Sequence, residues 1–126
     1  MVNHQTVADR THAAHLSAAD LVALRKNLDE QRLFRQEQLR ELTVAVPARG
    51  DAPGRQRAVG QVEVGVRLAA CARMVLVDVE AALTRLSEGR YGICQLCRRP
   101  VARKRLMIVP QARYCGPCQQ VKEAGR

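Results

Sequence analysis

The sequence predicts a mostly α-helical protein, built as a long antiparallel coiled-coil hairpin with a small C-terminal four-cysteine zinc finger and a short terminal helix. Two long stretches of strong helix formers flank a segment that holds two prolines and two glycines between residues 47 and 54. Aromatic residues make up only 2% of the chain, which favours Leu- and Ala-rich helix packing over a bulky globular core. Four cysteines then fall in two C-x2-C pairs near the C-terminus.

Residues 1–16 show no helical periodicity, and we expect them to form a disordered N-terminus. All three histidines, His4, His12 and His15, lie in this segment. Two of them could share a helix face, but no cysteine or repeat accompanies them. We therefore interpret them as part of a polar terminus rather than as a metal site, and the sequence assigns them no role.

The hairpin is predicted over residues 17–88. Ser17 and Asp20 have the spacing of a capping box, so the first helix should begin at Ala18 and run to about Thr43. A tip loop follows at about residues 44–56. The second helix should span about 56–87 and stop at Gly89, because glycine readily adopts the backbone conformation that ends helices.

The two helices carry complementary seams. In the second helix, apolar or small residues recur at alternating steps of three and four: Val62, Gly65, Ala69, Ala72, Leu76, Val79, Leu83 and Leu86. The first helix supplies Leu21, Leu24, Leu28, Leu39 and Leu42, with a polar middle at Gln31, Arg32 and Arg35. Antiparallel pairing of these seams sets Phe34 and Arg35 against Ala69 and Ala70, where small side chains leave room for them.

Cys94 and Cys97 form one C-x2-C pair, and Cys115 and Cys118 form the other. A two-residue spacer lets both thiolates of a pair bind one ion, and two pairs complete the tetrahedron of a structural zinc site. We therefore expect one structural Zn²⁺ and no open coordination position. Cys71, the remaining cysteine, lies mid-helix and is predicted to pack as a small hydrophobe, with a redox switch as the alternative.

The finger region, residues 89–126, should form its small core from Val101, Leu106 and Ile108, with a helical tail from Gln119. It carries nine basic residues and one acid, Glu123, and so holds most of the net charge of +9. Such a surface indicates an anionic partner, either nucleic acid or an acidic protein face, with a solvated basic tail as the plainer alternative.

The sequence argues against several classes of protein. No stretch is apolar enough for a membrane helix, and residues 1–15 lack a signal-peptide pattern. Paired cysteines then indicate metal binding in the reducing cytoplasm. No His, Glu or Asp constellation accompanies the closed zinc shell, so we expect a non-enzymatic protein. We also expect it to be a monomer.

The motif G-R-Y-G-x-C-x-x-C, followed by R-L-x-x-x-P and C-x-x-C and preceded by a helical hairpin, resembles the DksA/TraR family of bacterial transcription factors. The resemblance covers roughly residues 17–122. It implies a regulator that binds RNA polymerase without DNA, inserts its coiled coil into the secondary channel and docks its zinc end at the channel rim. It also implies a partnership with the alarmone ppGpp in the stringent response.

The resemblance carries over to named residues unevenly. The four cysteines match the zinc ligands, and Arg105 matches an arginine implicated in docking and effector binding. We expect partner contacts from the finger residues Arg99, Arg103 and Arg105, and from the tip residues Arg49, Asp51 and Arg55. The tip, however, lacks the acidic D-x-x-D-x-A motif, since Asp51 is its only acid.

Effector binding also departs from the pattern. Cys71, Asp78 and Gln119 occupy positions where the resemblance leads us to expect basic contacts to ppGpp, and an aspartate repels a tetra-anionic nucleotide. The sequence therefore predicts polymerase docking with an atypical tip and without the usual ppGpp response. The alternative function is a basic zinc module that binds nucleic acid directly.

Overall fold

The computed structural model describes residues 15–44 and 55–125, which are mostly helical. The described residues form four helices: α1 (Ala18–Val44), α2 (Arg55–Ser87), α3 (Arg103–Ile108) and α4 (Gly116–Ala124). Helices α1 and α2 pack against each other as the predicted hairpin. The bounds of the two long helices agree with those predicted from the sequence to within one residue.

The start of α1 confirms the predicted capping box. The backbone N–H of Asp20 donates to Ser17 Oγ at 3.0 Å, and the backbone N–H of Ser17 donates to Asp20 Oδ2 at 3.0 Å. These reciprocal bonds satisfy donors that a helix start otherwise leaves unpaired. The capping box therefore fixes the point at which the chain enters the hairpin.

The end of α2 also forms as the sequence indicates. Gly89 has φ 75°, the left-handed region that glycine adopts without steric penalty. The N–H of Gly89 donates to Leu86 O at 3.3 Å, and the N–H of Arg90 donates to Arg85 O at 2.8 Å. This is the Schellman pattern, which satisfies the last carbonyls of a helix and turns the chain away from its axis.

The predicted seam of α2 faces inward. Ala72, Val79, Leu83 and Leu86 are buried, and the other seam positions of α2 are half-buried. The polar middle of α1 is half-buried too, where Arg35 Nη1 donates to Gln38 Oε1 at 2.9 Å. The tight part of the hairpin therefore lies toward the finger end.

The prediction that Phe34 packs over the small residues of α2 is wrong. Its side chain is 63% exposed, and the guanidinium of Arg35 lies 5.4 Å from the centre of its ring. Phe34 lies one position away from the seam residue Arg35, and one position on a helix is a turn of about 100°. The ring consequently points outward. Cys71 is also exposed, so its predicted packing as a buried hydrophobe is wrong.

The main core joins the base of the hairpin to the finger. One contiguous cluster of buried residues takes members from α1 and the residue two before it, from α2 and from the finger: Leu16, Leu24, Leu28, Val79, Ala82, Leu83, Leu86, Tyr91, Cys94, Val101 and Leu106. Val101 and Leu106 belong to it as predicted, but Ile108 is 79% exposed. Ile108 is the last residue of α3, where the opposite face of this short helix covers the core.

The predicted disordered N-terminus, residues 1–16, extends too far, because its last two residues are part of the fold. Leu16 is 7% exposed within the core, and His15 Nε2 lies 2.6 Å from Val101 O. His4 and His12 lie outside the described residues, as do most of the tip loop and its residues Arg49 and Asp51. Among the described helices, none combines the length and apolar character needed to cross a bilayer.

Candidate metal centre

The four predicted cysteines converge on one point. The sulfurs of Cys94, Cys97, Cys115 and Cys118 all lie within 4.8 Å of one another. Cys97 Sγ and Cys115 Sγ, one from each pair, are 3.8 Å apart. A tetrahedron with Zn–S bonds of about 2.3 Å has edges of about 3.8 Å, so the spacing and the donor type fit Zn²⁺.

Backbone hydrogen bonds hold the loop of the first cysteine pair in shape without the help of a metal ion. The N–H of Cys94 donates to Arg99 O at 2.8 Å, and the N–H of Arg98 donates to Cys94 O at 2.9 Å. Gly92, with φ 89°, turns the chain into this loop, a backbone conformation that glycine adopts without steric penalty. A single β-bridge between Ile93 and Pro100 closes the base of the loop.

The second pair is held by the start of α4 and tied to the first. Cys115 caps α4 in an extended conformation, and Pro117 occupies the first turn, where a missing N–H costs nothing. The N–H of Gln95 donates to Arg113 O at 2.9 Å, which links the two cysteine loops directly. The site is therefore assembled from two loops that the backbone holds together.

The environment of the sulfurs differs within the site. Burial by itself would raise the pKa of Cys94, but N–H groups of Cys97, Cys115 and Leu96 favour its thiolate and bring the pKa to about 6. The neighbouring Cys115 sulfur raises the pKa of Cys118 to about 12. A bound divalent cation favours the thiolate form at every ligand, because metal binding requires deprotonated cysteines.

An ion pair fastens the finger to the start of α1. Arg103 Nε donates to Asp20 Oδ2 at 3.0 Å, and Arg103 Nη2 donates to Asp20 Oδ1 at 2.9 Å. The pKa of Asp20 is held well below its usual range, mainly by this bond from Arg103 and also by the N–H of Ser17. Arg103, predicted to contact a partner, is thus engaged inside the chain.

A second joint connects α2 to the loop before the second cysteine pair. Arg85 is buried, with 3% exposure, and its Nη2 donates to Ala112 O at 3.3 Å. Burial lowers the pKa of its guanidinium, and the charge of Arg113 adds to that effect. Sequence reasoning missed Arg85, although its place one residue before a seam leucine put it near the finger.

Asp78 forms part of the same joint. Arg113 Nε donates to Asp78 Oδ1 at 2.9 Å. Asp78 therefore contacts a finger arginine of its own chain at a position where the resemblance led us to expect a basic residue. Gln119, the other departure, donates through its side-chain amide to Glu123 within α4.

The remaining predicted partner residues differ in their surroundings. Arg105 is half-buried, and its Nε donates to Tyr114 O at 3.0 Å. Arg99 is exposed beside the first cysteine pair. Arg55 begins α2, and its side chain lies outside the described part of the chain. The structure thus brings the finger arginines close to the metal centre but assigns two of the three to contacts within the chain.

Comparisons with known proteins agree with this geometry. Residues 89–124 match the family model described as the prokaryotic dksA/traR C4-type zinc finger. An uncharacterised protein of Aquifex aeolicus (strain VF5) is 35% identical over 48 residues. That match spans 38% of this chain and about a third of the relative's length.

A solved structure extends the likeness beyond the finger. The transcription factor DksA2 from Pseudomonas aeruginosa superimposes with a TM-score of 0.74 at 26% identity, covering 96% of each chain. The likeness therefore includes the hairpin as well as the metal-binding end. The chain is a DksA-like zinc finger protein, with a dksA/traR C4-type finger that holds one structural zinc ion at its four clustered cysteines.

Proposed function

We propose that this protein is a transcription regulator that binds RNA polymerase directly and inserts its helical hairpin into the secondary channel. The observation that carries the proposal is the joining of a dksA/traR-type finger to a hairpin in the arrangement of DksA2, over 96% of both chains. The zinc ion holds the finger together and has no part in chemistry.

The shape of the molecule suits insertion into a channel. Helix α2 has 33 residues, which corresponds to a rod about 50 Å long. The core lies at the finger end, where Asp20, Asp78 and Arg85 tie the hairpin to the finger. A rod anchored at one end in this way can project its tip a fixed distance into a partner.

The regulatory chemistry of the proposed function differs from that of relatives with an acidic tip. Residues 44–58, which include the tip loop, hold three arginines, Arg49, Arg55 and Arg57, and a single acid, Asp51. Basic side chains would bring to the metal-binding centre of a polymerase a charge opposite to that of an acidic tip. We propose that the protein occupies the channel without the effect that an acidic tip produces on the catalytic metal.

The proposed mode of action also does not require ppGpp. A tetra-anionic nucleotide would meet the carboxylate of Asp78, which already pairs with Arg113. Binding would have to break that ion pair and overcome repulsion by the carboxylate. In vitro transcription from a stringently controlled promoter should therefore give the same effect of the protein with and without ppGpp.

Direct binding to nucleic acid is the second candidate, because the finger is strongly basic. Lysines and arginines that neutralise phosphates give an affinity that falls steeply with salt. The described finger offers little for base stacking, however, since Tyr91 is fully buried and Lys122 covers the ring of Tyr114 at 5.0 Å. We therefore favour a protein partner.

The test is equilibrium binding of the labelled, zinc-loaded chain to core RNA polymerase in the absence of DNA. We expect saturable binding at one chain per polymerase at physiological salt, and much weaker binding to duplex and single-stranded oligonucleotides. The absence of binding to core polymerase would refute the proposal. A variant with Gly50→Asp and Pro53→Asp tests the role of the tip, since it should bind equally well but alter transcription.

A further inference from the structure

We propose that the exposed loop at residues 95–100, here called the knuckle loop, is a contact surface for an acidic face of a protein partner, with Leu96, Arg98 and Arg99 making the contacts. The inference deepens the proposed function and rests on it, because it places the acidic face on RNA polymerase. It assigns to the zinc finger a recognition role besides its support of the fold.

The knuckle loop is both exposed and fixed in shape. All six of its residues are exposed, and Leu96 exposes 51% of its surface. The bonds from Cys94 N–H to Arg99 O and from Arg98 N–H to Cys94 O close the loop, and two of the four metal-binding cysteines bracket its first half. Side chains on such a loop lose little backbone freedom when they bind a partner.

Arg98 occupies this loop at a conformational cost. Its φ is 67°, and among the described residues it is the one non-glycine residue with a positive φ. A β-carbon is disfavoured in the left-handed region, which glycine adopts freely. Residues held in such conformations cluster at functional sites, so the backbone of Arg98 points to a use for its side chain.

Within the described part of the chain, the Arg98 side chain has no interaction partner. Its side chain makes no hydrogen bond or ion pair with the described residues, and neither does that of Arg99. Other arginines of the finger do have partners inside the chain, namely Arg90 on Glu88, Arg103 on Asp20, Arg105 on Tyr114 and Arg113 on Asp78. The cations of the knuckle loop therefore remain available to an external anionic surface.

The apolar residue Leu96, which precedes these two arginines in the knuckle loop, decides the class of partner. Leu96 gains nothing from a phosphate backbone, whereas an apolar side chain beside arginines is typical of the contacts at the centre of protein interfaces. The knuckle loop also contains no aromatic side chain on which a base could stack. An acidic protein face with a small apolar depression complements this combination.

The test compares two knuckle-loop variants with a control in the same finger. Arg98→Gly removes the side chain and relieves the backbone, and Leu96→Ser removes the apolar contact. Lys122→Ser removes one positive charge from α4, outside the knuckle loop. Each zinc-loaded variant is measured for zinc content, thermal unfolding, and affinity for core RNA polymerase and a duplex oligonucleotide.

We expect Arg98→Gly to keep one zinc ion, to unfold at or above the wild-type temperature, and to bind polymerase at least about fivefold more weakly. Leu96→Ser should show a similar loss of affinity, and Lys122→Ser should change it by less than about twofold. A loss of affinity without a loss of stability separates recognition from a structural role.

Four results would overturn the inference. If the wild-type chain binds polymerase and both knuckle-loop variants bind equally well, the knuckle loop is not the contact, while the proposed function stands. If Arg98→Gly lowers the zinc content or the unfolding temperature, Arg98 is structural. If the variants lose only oligonucleotide binding, the partner is nucleic acid. If the wild-type chain fails to bind polymerase, both the inference and the proposed function are wrong.

Discussion

The hydroxyl of Tyr91 offers a sharp test of what holds the finger together where it packs against the hairpin. Tyr91 is fully buried in the shared core, and its Oη donates to Pro110 O at 2.8 Å. The substitution Tyr91→Phe preserves the ring but leaves the buried carbonyl of Pro110 without this donor. An unsatisfied buried acceptor costs about 1–3 kcal/mol, so the free energy of unfolding should fall by about that amount.

The measurement is urea unfolding followed by circular dichroism at a fixed free zinc concentration. The midpoint should fall while the slope stays unchanged, because the same surface is exposed on unfolding. Tyr114→Phe is the matched control. Tyr114 is half-buried, and its hydroxyl makes no hydrogen bond to the described residues, so its removal should change stability by less than about 0.5 kcal/mol.

Equal stabilities of Tyr91→Phe and Tyr114→Phe would refute this reasoning. They would mean that the bond between Tyr91 and Pro110 contributes nothing to stability, and that apolar burial alone holds Tyr91 in the shared core. A changed slope in Tyr91→Phe would instead indicate that the finger and the hairpin no longer unfold together.

Three further predictions concern the buried core, the ion pair of Asp20 and the zinc site. Leu28→Ala should destabilise the protein by about 2–5 kcal/mol, because Leu28 is fully buried, while Phe34→Ala should change stability by no more than about 0.5 kcal/mol; denaturant unfolding compares them. Asp20→Asn should weaken the fall in the free energy of unfolding at acid pH. Because folding lowers the pKa of Asp20, its carboxylate stabilises the fold above the unfolded pKa of about 3.9, and this stabilisation is lost as the pH falls through the folded pKa. Removal of zinc with a chelator should release one ion per chain and make the finger sensitive to proteolysis, which mass spectrometry of the fragments detects.

Local patterns in the sequence predicted much of the fold, because they involve residues close together in the chain. Ser17 and Asp20 are three residues apart, and their spacing alone predicted the capping box that forms. Gly89 and Gly92 fall where the backbone adopts a positive φ. The four cysteines gave the metal site directly, because C-x2-C spacing has few other uses.

Contacts distant in sequence were not predictable from patterns of this kind. Arg103 and Asp20 are 83 residues apart, and nothing in either local sequence indicates the other. A long basic side chain looks available in a sequence until the fold places an acceptor beside it. Arg103 and Arg105 were therefore predicted as partner contacts, although both have acceptors in their own chain.

The outward position of Phe34 shows a second limit. Leu33 and Phe34 follow a polar stretch in which no apolar residue marks the seam. The sequence therefore does not show which of the two side chains should face α2. The structure places the polar residues of α1 at the interface and exposes both apolar side chains, at 61% for Leu33 and 63% for Phe34. Small seam residues in α2 leave room for the ring of Phe34, but the ring does not pack against them.

The exposed Phe34 also permits the most direct test of insertion into the secondary channel. A photoreactive phenylalanine analogue at this position, in the middle of α1, should crosslink to the polymerase segments that line that channel when the complex is irradiated. Crosslinks confined to the outer surface of the polymerase, or to DNA, would contradict the account.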